Sequence, residues 1–151
     1  MQKASAAIAA GVTALTFLLV CPAIAEVLIT KGEAELPATP SIAMTTRGLT
    51  RGPGIEQLSP HPDRSVSSPF PLRIKFQTRN NVEIDLDSIK LTYLKATPID
   101  LTGRIKVHVK PDGIEMNGAE VPPGTHSLRL DLKDKQGRVA TAIIKLTVIG
   151  Q

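Results

Sequence analysis

From Ile55 to Ile149 the chain keeps switching between apolar and polar residues one at a time, and this period of two constrains the fold more than any other feature. Phe70, Leu72, Ile74 and Phe76 fall on one side of an extended segment while Arg73 and Lys75 fall on the other. Ile89, Leu91 and Tyr93 do the same, as do His126, Leu128, Leu130 and Leu132, and finally Ala142, Ile144, Leu146 and Val148. Successive side chains of a strand point to opposite faces, so each run predicts a strand with one dry face. Shorter pieces are expected at Ile55–Leu58, Ile99–Leu101, Ile105 to Val109 (through Ile105, Val107 and Val109) and Ile114–Met116.

The punctuation between these runs suits tight reversals. Pro111-Asp112-Gly113 places a preset φ before a glycine, Pro122-Pro123-Gly124 repeats that logic, and Lys135-Gln136-Gly137 has the length of a hairpin loop. No stretch carries a helical period of useful length. The expectation is an all-β, antiparallel Greek-key sandwich of about seven strands over residues 55–151, with a closed barrel as the alternative because periodicity does not reveal strand order.

The N-terminus has a different character. Lys3 is followed by an uncharged stretch from Ala4 to Ala25, with an apolar centre at Ala14–Val20 and small residues at Ala23 and Ala25. This is the layout of a secretory signal peptide over residues 1–25, with cleavage after Ala25. A membrane span would need about 20 continuous apolar residues, and Ser5, Thr13 and Pro22 interrupt the run. Cys21 raises lipidation as a further alternative, against which stand Leu18, Leu19 and Val20 in place of a small residue directly before the cysteine. The expected location is periplasmic or secreted, with membrane contact only through the signal sequence. Cys21 is the one cysteine, so a cleaved chain would be held by core packing rather than by disulfides.

Residues 26–54 are rich in Ala, Thr, Pro and Gly and show no apolar periodicity, which predicts a flexible linker or tail. The whole chain carries 18 basic and 14 acidic residues. A balance that small and that interspersed suits a solvated surface rather than a nucleic-acid footprint.

The stretch from about Ile55 to Ile149 resembles a bacterial immunoglobulin-like or fibronectin III-like domain. The resemblance rests on Pro123-Gly-x-His-x-Leu-x-Leu-x-x-Lys-Asp-x-x-Gly-Arg138 and the Thr-x-x-x-Lys-Leu-Thr-Val strand after it. Such domains often place a tyrosine at the reversal before the penultimate strand, where its hydroxyl ties down the corner. His126 stands at that place here, and its imidazole N–H is expected to make the equivalent backbone bond. Neither the antibody-type cysteine pair nor a core tryptophan is present.

Chemistry is sparse. His61, His108 and His126 are widely spaced, giving no local zinc pair. His61 is placed in a Pro-rich turn and His108 on an outward face. Ser65, Ser67 and Ser68 lack a Gly-x-Ser-x-Gly turn, and there is no phosphate-cradling glycine loop. No catalytic or cofactor-binding residue is assigned, no cofactor is expected, and the chain is read as not an enzyme. The expected function is a non-catalytic exported module that binds or scaffolds another envelope or secreted protein, by strand addition at an exposed edge. The alternative is a calcium- or polysaccharide-binding accessory domain using Asp85 and Asp87. For a glycan, Tyr93 is the single aromatic available for stacking.

Overall fold

The computed structural model describes residues 25–39 and 51–150. The signal-peptide reading, including Cys21, and the stretch 40–50 lie outside the described residues. In chain order the elements are β1 (Glu26–Val27), α1 (Lys31–Glu35), β2 (Gly54–Ser59), β3 (Ser65–Ser67), β4 (Phe70–Gln77), β5 (Ile84–Tyr93), β6 (Ile99–Asp100), α2 (Thr102–Ile105), a single 3-10 turn (Lys106–His108), β7 (Val109–Lys110), β8 (Gly113–Glu120), β9 (Gly124–Asp134) and β10 (Val139–Ile149). The fold is all-β. Among the described residues, no helix is long and apolar enough to cross a membrane.

Two five-stranded sheets share one core. The first has the order β1-β8-β4-β2, with β7 also on β8; the second has the order β3-β10-β9-β5-β6. Alternation produces this directly. Phe70, Leu72, Ile74 and Phe76 of β4 are buried, and so are Leu128, Leu130 and Leu132 of β9 and Ile144, Leu146 and Val148 of β10. Each fully buried side chain of this size contributes about 1.5–3 kcal/mol.

The sheets are mixed rather than purely antiparallel. β1 runs parallel to β8, and β3 runs parallel to β10. Both exceptions are short segments laid along an otherwise open edge, where they satisfy backbone groups that would template pairing with another chain. Among the described residues ten strands stand where about seven were expected, because the runs that cover edges are two or three residues long and carry no visible period.

Two readings of the sequence need correction. Ile105, Val107 and Val109 do not form one strand: α2 and the 3-10 turn occupy residues 102–108, and only Val109–Lys110 pairs with β8. Val107 is 80% exposed, whereas Leu101 and Ile105, four residues apart, are both fully buried. The i, i+4 pair decides the local conformation over the i, i+2 alternation.

Residues 26–39 are likewise no flexible tail. They form a strap in which Leu28 and Ile29 are buried in the core at 0% and 1% exposure. The strap begins as β1 on the β8 edge and ends with Ala38 bridged to Lys95 beyond the end of β5. It therefore joins an edge of one sheet to an edge of the other.

Candidate functional site

The first turn of α1 is set by a capping box. Glu33 N–H donates to Thr30 Oγ1 at 3.3 Å, and Thr30 N–H donates to Glu33 Oε2 at 2.8 Å. The same Glu33 carboxylate takes a two-pronged grip from Arg104 of α2, whose Nη1 also donates to Leu28 O at 2.8 Å. This grip holds the Glu33 carboxyl down to about 2, with the bonds from Thr30 adding to the effect. At the other end of α1, Lys95 Nζ donates to Ala34 O and Leu36 O at 2.7 and 2.9 Å. A cation there satisfies terminal carbonyls that a helix leaves unpaired.

Lys95 also lies over the Tyr93 ring, with Nζ 5.1 Å from its centroid, inside cation–π range. Tyr93 Oη is 2.7 Å from His126 Nδ1, and His126 Nε2 is 2.9 Å from Pro122 O. A carbonyl only accepts, so the proton sits on Nε2, and Nδ1 accepts from the tyrosine hydroxyl. His126 is 3% exposed. Burial pushes its pKa below the ordinary 6.5, and nearby Lys95 works in the same direction. Burial, with Glu33 nearby, pushes the Tyr93 hydroxyl up.

The Pro122 carbonyl that His126 holds belongs to one wall of a groove of about 410 Å³. The strap supplies Val27, Ile29, Thr30 and Lys31; the β8–β9 corner supplies Glu120, Val121, Pro122 and Pro123; Ser68, Pro69 and Ile149 complete it. The walls hold their places through backbone bonds. Leu28 and Ile29 N–H donate to Glu120 O at 2.9 and 3.3 Å, and Val121 N–H donates to Ser68 Oγ at 3.0 Å. The result is an apolar trough with Lys31 and Glu120 among its lining residues, in the size range of small-molecule and short-segment sites.

The residues singled out from sequence scatter elsewhere. Asp85 Oδ1 accepts from Asp87 N–H at 3.2 Å, so that carboxylate turns the chain where the β5–β9 register shifts. His61 is exposed beside Asp63, at 3.8 Å. His108 does not point freely outward: it is half-buried, with Nε2 2.6 Å from Glu26 Oε2 at the start of the strap. Among the described residues, no three His, Cys, Asp or Glu side chains converge as metal ligands would. His126 does make the backbone bond expected of it.

Arg104, Lys95 and the strap were not foreseen as site components. The signal that would have found them is Thr30-x-x-Glu33, the sequence form of a capping box, directly after the apolar triplet Val27-Leu28-Ile29.

The chain matches no family model and no curated protein. Among solved structures, the endo-β-1,4-mannanase from Thermotoga petrophila is similar at a TM-score of 0.45 and 13% identity, over 71% of this chain. This chain spans 22% of that one, and a likeness so slight carries no argument about fold or activity.

Proposed function

We propose that this chain is an exported, immunoglobulin-like module without catalytic activity, which binds another envelope or secreted protein by taking an extended apolar segment of it into the groove. Strand order supports the fold half of this reading. β2-β4-β8 and β10-β9-β5 follow the A-B-E and G-F-C order of an immunoglobulin sandwich. The bond from His126, near the start of β9, to a carbonyl four residues upstream matches the role of the corner tyrosine in such domains.

The observation that carries the binding half is the groove itself, with apolar walls at the end of the sandwich where Val27 and Ile149 remain 44% and 51% exposed. Strand addition at an edge, the other mode considered, keeps the outer sides of β2 and β6 among the described residues, while other edges are covered. β1 and β7 lie on β8, β3 lies on β10, and Pro37–Ala38 lie along Lys95–Ala96.

A photo-reactive residue at Pro123 tests the reading in envelope extract. It is expected to cross-link one protein, through an apolar stretch of it, with the link lost in Val27→Asp and Ile149→Asp. Equal labelling from Lys133, near the far end of β9, or labelling indifferent to both substitutions, would refute it.

A further inference from the structure

A chain of contacts runs from the buried imidazole to the strap. His126 Nδ1 accepts from Tyr93 Oη, Lys95 Nζ sits over the Tyr93 ring, and that same ammonium holds Ala34 O and Leu36 O at the end of α1. We propose that protonation of His126 in a mildly acidic medium releases the end of the strap at residues 34–38 from the sandwich at Lys95.

The physical sequence is short. A proton from solvent takes the Nδ1 lone pair, so the imidazolium needs an acceptor where it had a donor. The Tyr93 hydroxyl then has to turn and accept, leaving its own hydrogen without its present partner in a dry site, which costs about as much as a lost buried hydrogen bond. The imidazolium also adds a second positive charge to the cluster, one that Lys95 already disfavours. The charges facing this cluster do not cancel it. Glu33, the acid that reaches Tyr93, is neutralised by Arg104. From β10, the residue paired with His126 is the apolar Leu146, and from the corner it is Pro122. The Nε2 bond to Pro122 survives protonation, so the corner stays in place while Lys95 is driven off the ring and its grip on α1 weakens.

The groove-lining start of the strap stays held by Glu120 O and by Arg104, so the release is confined to the α1 end and is measured without any partner.

Hydrogen–deuterium exchange on the full chain at about pH 7 and about pH 5, corrected for intrinsic rates, makes the test. Strap amides at the α1 end are expected to exchange about tenfold faster in acid relative to β9 and β10, the equivalent of about one pKa unit of coupling. His126→Gln keeps a donor for Pro122 but cannot titrate, and is expected to abolish the acid effect. Lys95→Met is expected to loosen the strap at both pH values alike. Equal acceleration of strap and β9–β10, or an acid effect that survives His126→Gln, would overturn the proposal. Should that variant fold poorly, the wild-type imidazole C–H resonance decides the matter: strap amides must titrate with it, and a strap transition in the carboxylate range instead refutes the proposal.

Discussion

Arg104 and Glu33, 71 residues apart in the chain, meet fork to fork, Nη1 to Oε2 at 2.8 Å and Nη2 to Oε1 at 2.7 Å. The side chains keep only 33% and 18% of their exposure, so this pair is worth more than a surface ion pair but remains partly screened. It fastens a segment with little secondary structure of its own to α2, between β6 and β7.

Acid should weaken that fastening in a defined window. Glu33 has its folded pKa lowered from 4.5 to about 2, so its contribution is fully present above 4.5 and is lost as pH falls from 4.5 toward 2. Discounted for solvent, the loss is about 1–2 kcal/mol. Denaturant midpoints for wild type and Glu33→Gln are expected to differ at neutral pH and to converge near the bottom of that range.

Histidine titration works at higher pH. The folded pKa of His126 is lowered below 6.5, so the unfolded chain takes up the proton first. Stability is therefore full above 6.5 and declines as pH falls from there to the folded value. Thermal melts across that interval should show the decline in wild type and lack it in His126→Gln.

Tyr93→Phe removes the donor to His126 Nδ1 and leaves a buried acceptor unpaired, with an expected loss of about 1–3 kcal/mol in chemical denaturation. The substitution keeps the burial that lowers the histidine pKa and removes a hydroxyl that could accept from a protonated Nδ1, so the histidine midpoint, read by NMR, is expected to stay below 6.5.

Leu28→Ala measures whether the strap belongs to the core. The side chain is fully buried, and truncation should cost about 2–5 kcal/mol in a single cooperative transition. A loss below about 0.5 kcal/mol, the range of a surface substitution, would mean that the strap is peripheral.

Gly113→Ala should disrupt the β4–β8 pairing, because a Cβ there would lie 2.1 Å from Ile74 O, which is backbone and cannot swing aside. Gly124→Ala meets no clash within 3.4 Å but must hold φ at +132°, so its cost is conformational. Both are expected to lower the melting temperature, and only Gly113→Ala should accelerate amide exchange along β4.

What could be read from sequence follows how each residue is stabilised. β4 carries an uninterrupted period of two, and β9 and β10 carry it over most of their length, because each buries one face. β1, β3 and β6 are too short to show any period and exist because a longer neighbour offers them backbone partners. The strap escaped for a related reason: Leu28 and Ile29 are consecutive and both buried, a pattern that belongs to neither strand nor helix. His126 was legible because a corner residue is fixed by its local turn. Tyr93 was read as a core side chain, but its partnership with His126, 33 residues along the chain, is tertiary and leaves no trace in spacing.

The two flanks of the molecule differ in what can loosen them. On one, the Gln57 side-chain amide donates to Lys145 O at 2.9 Å and accepts from Lys145 N–H at 3.2 Å, a neutral peptide-like contact between β2 and β10. On the other, the strap hangs on guanidinium, ammonium and imidazole groups. Salt and protons act on charges and scarcely on amides. Of these two fastenings, a change of ionic surroundings therefore reaches the one between Glu33 and Arg104 and leaves the Gln57 clasp nearly untouched.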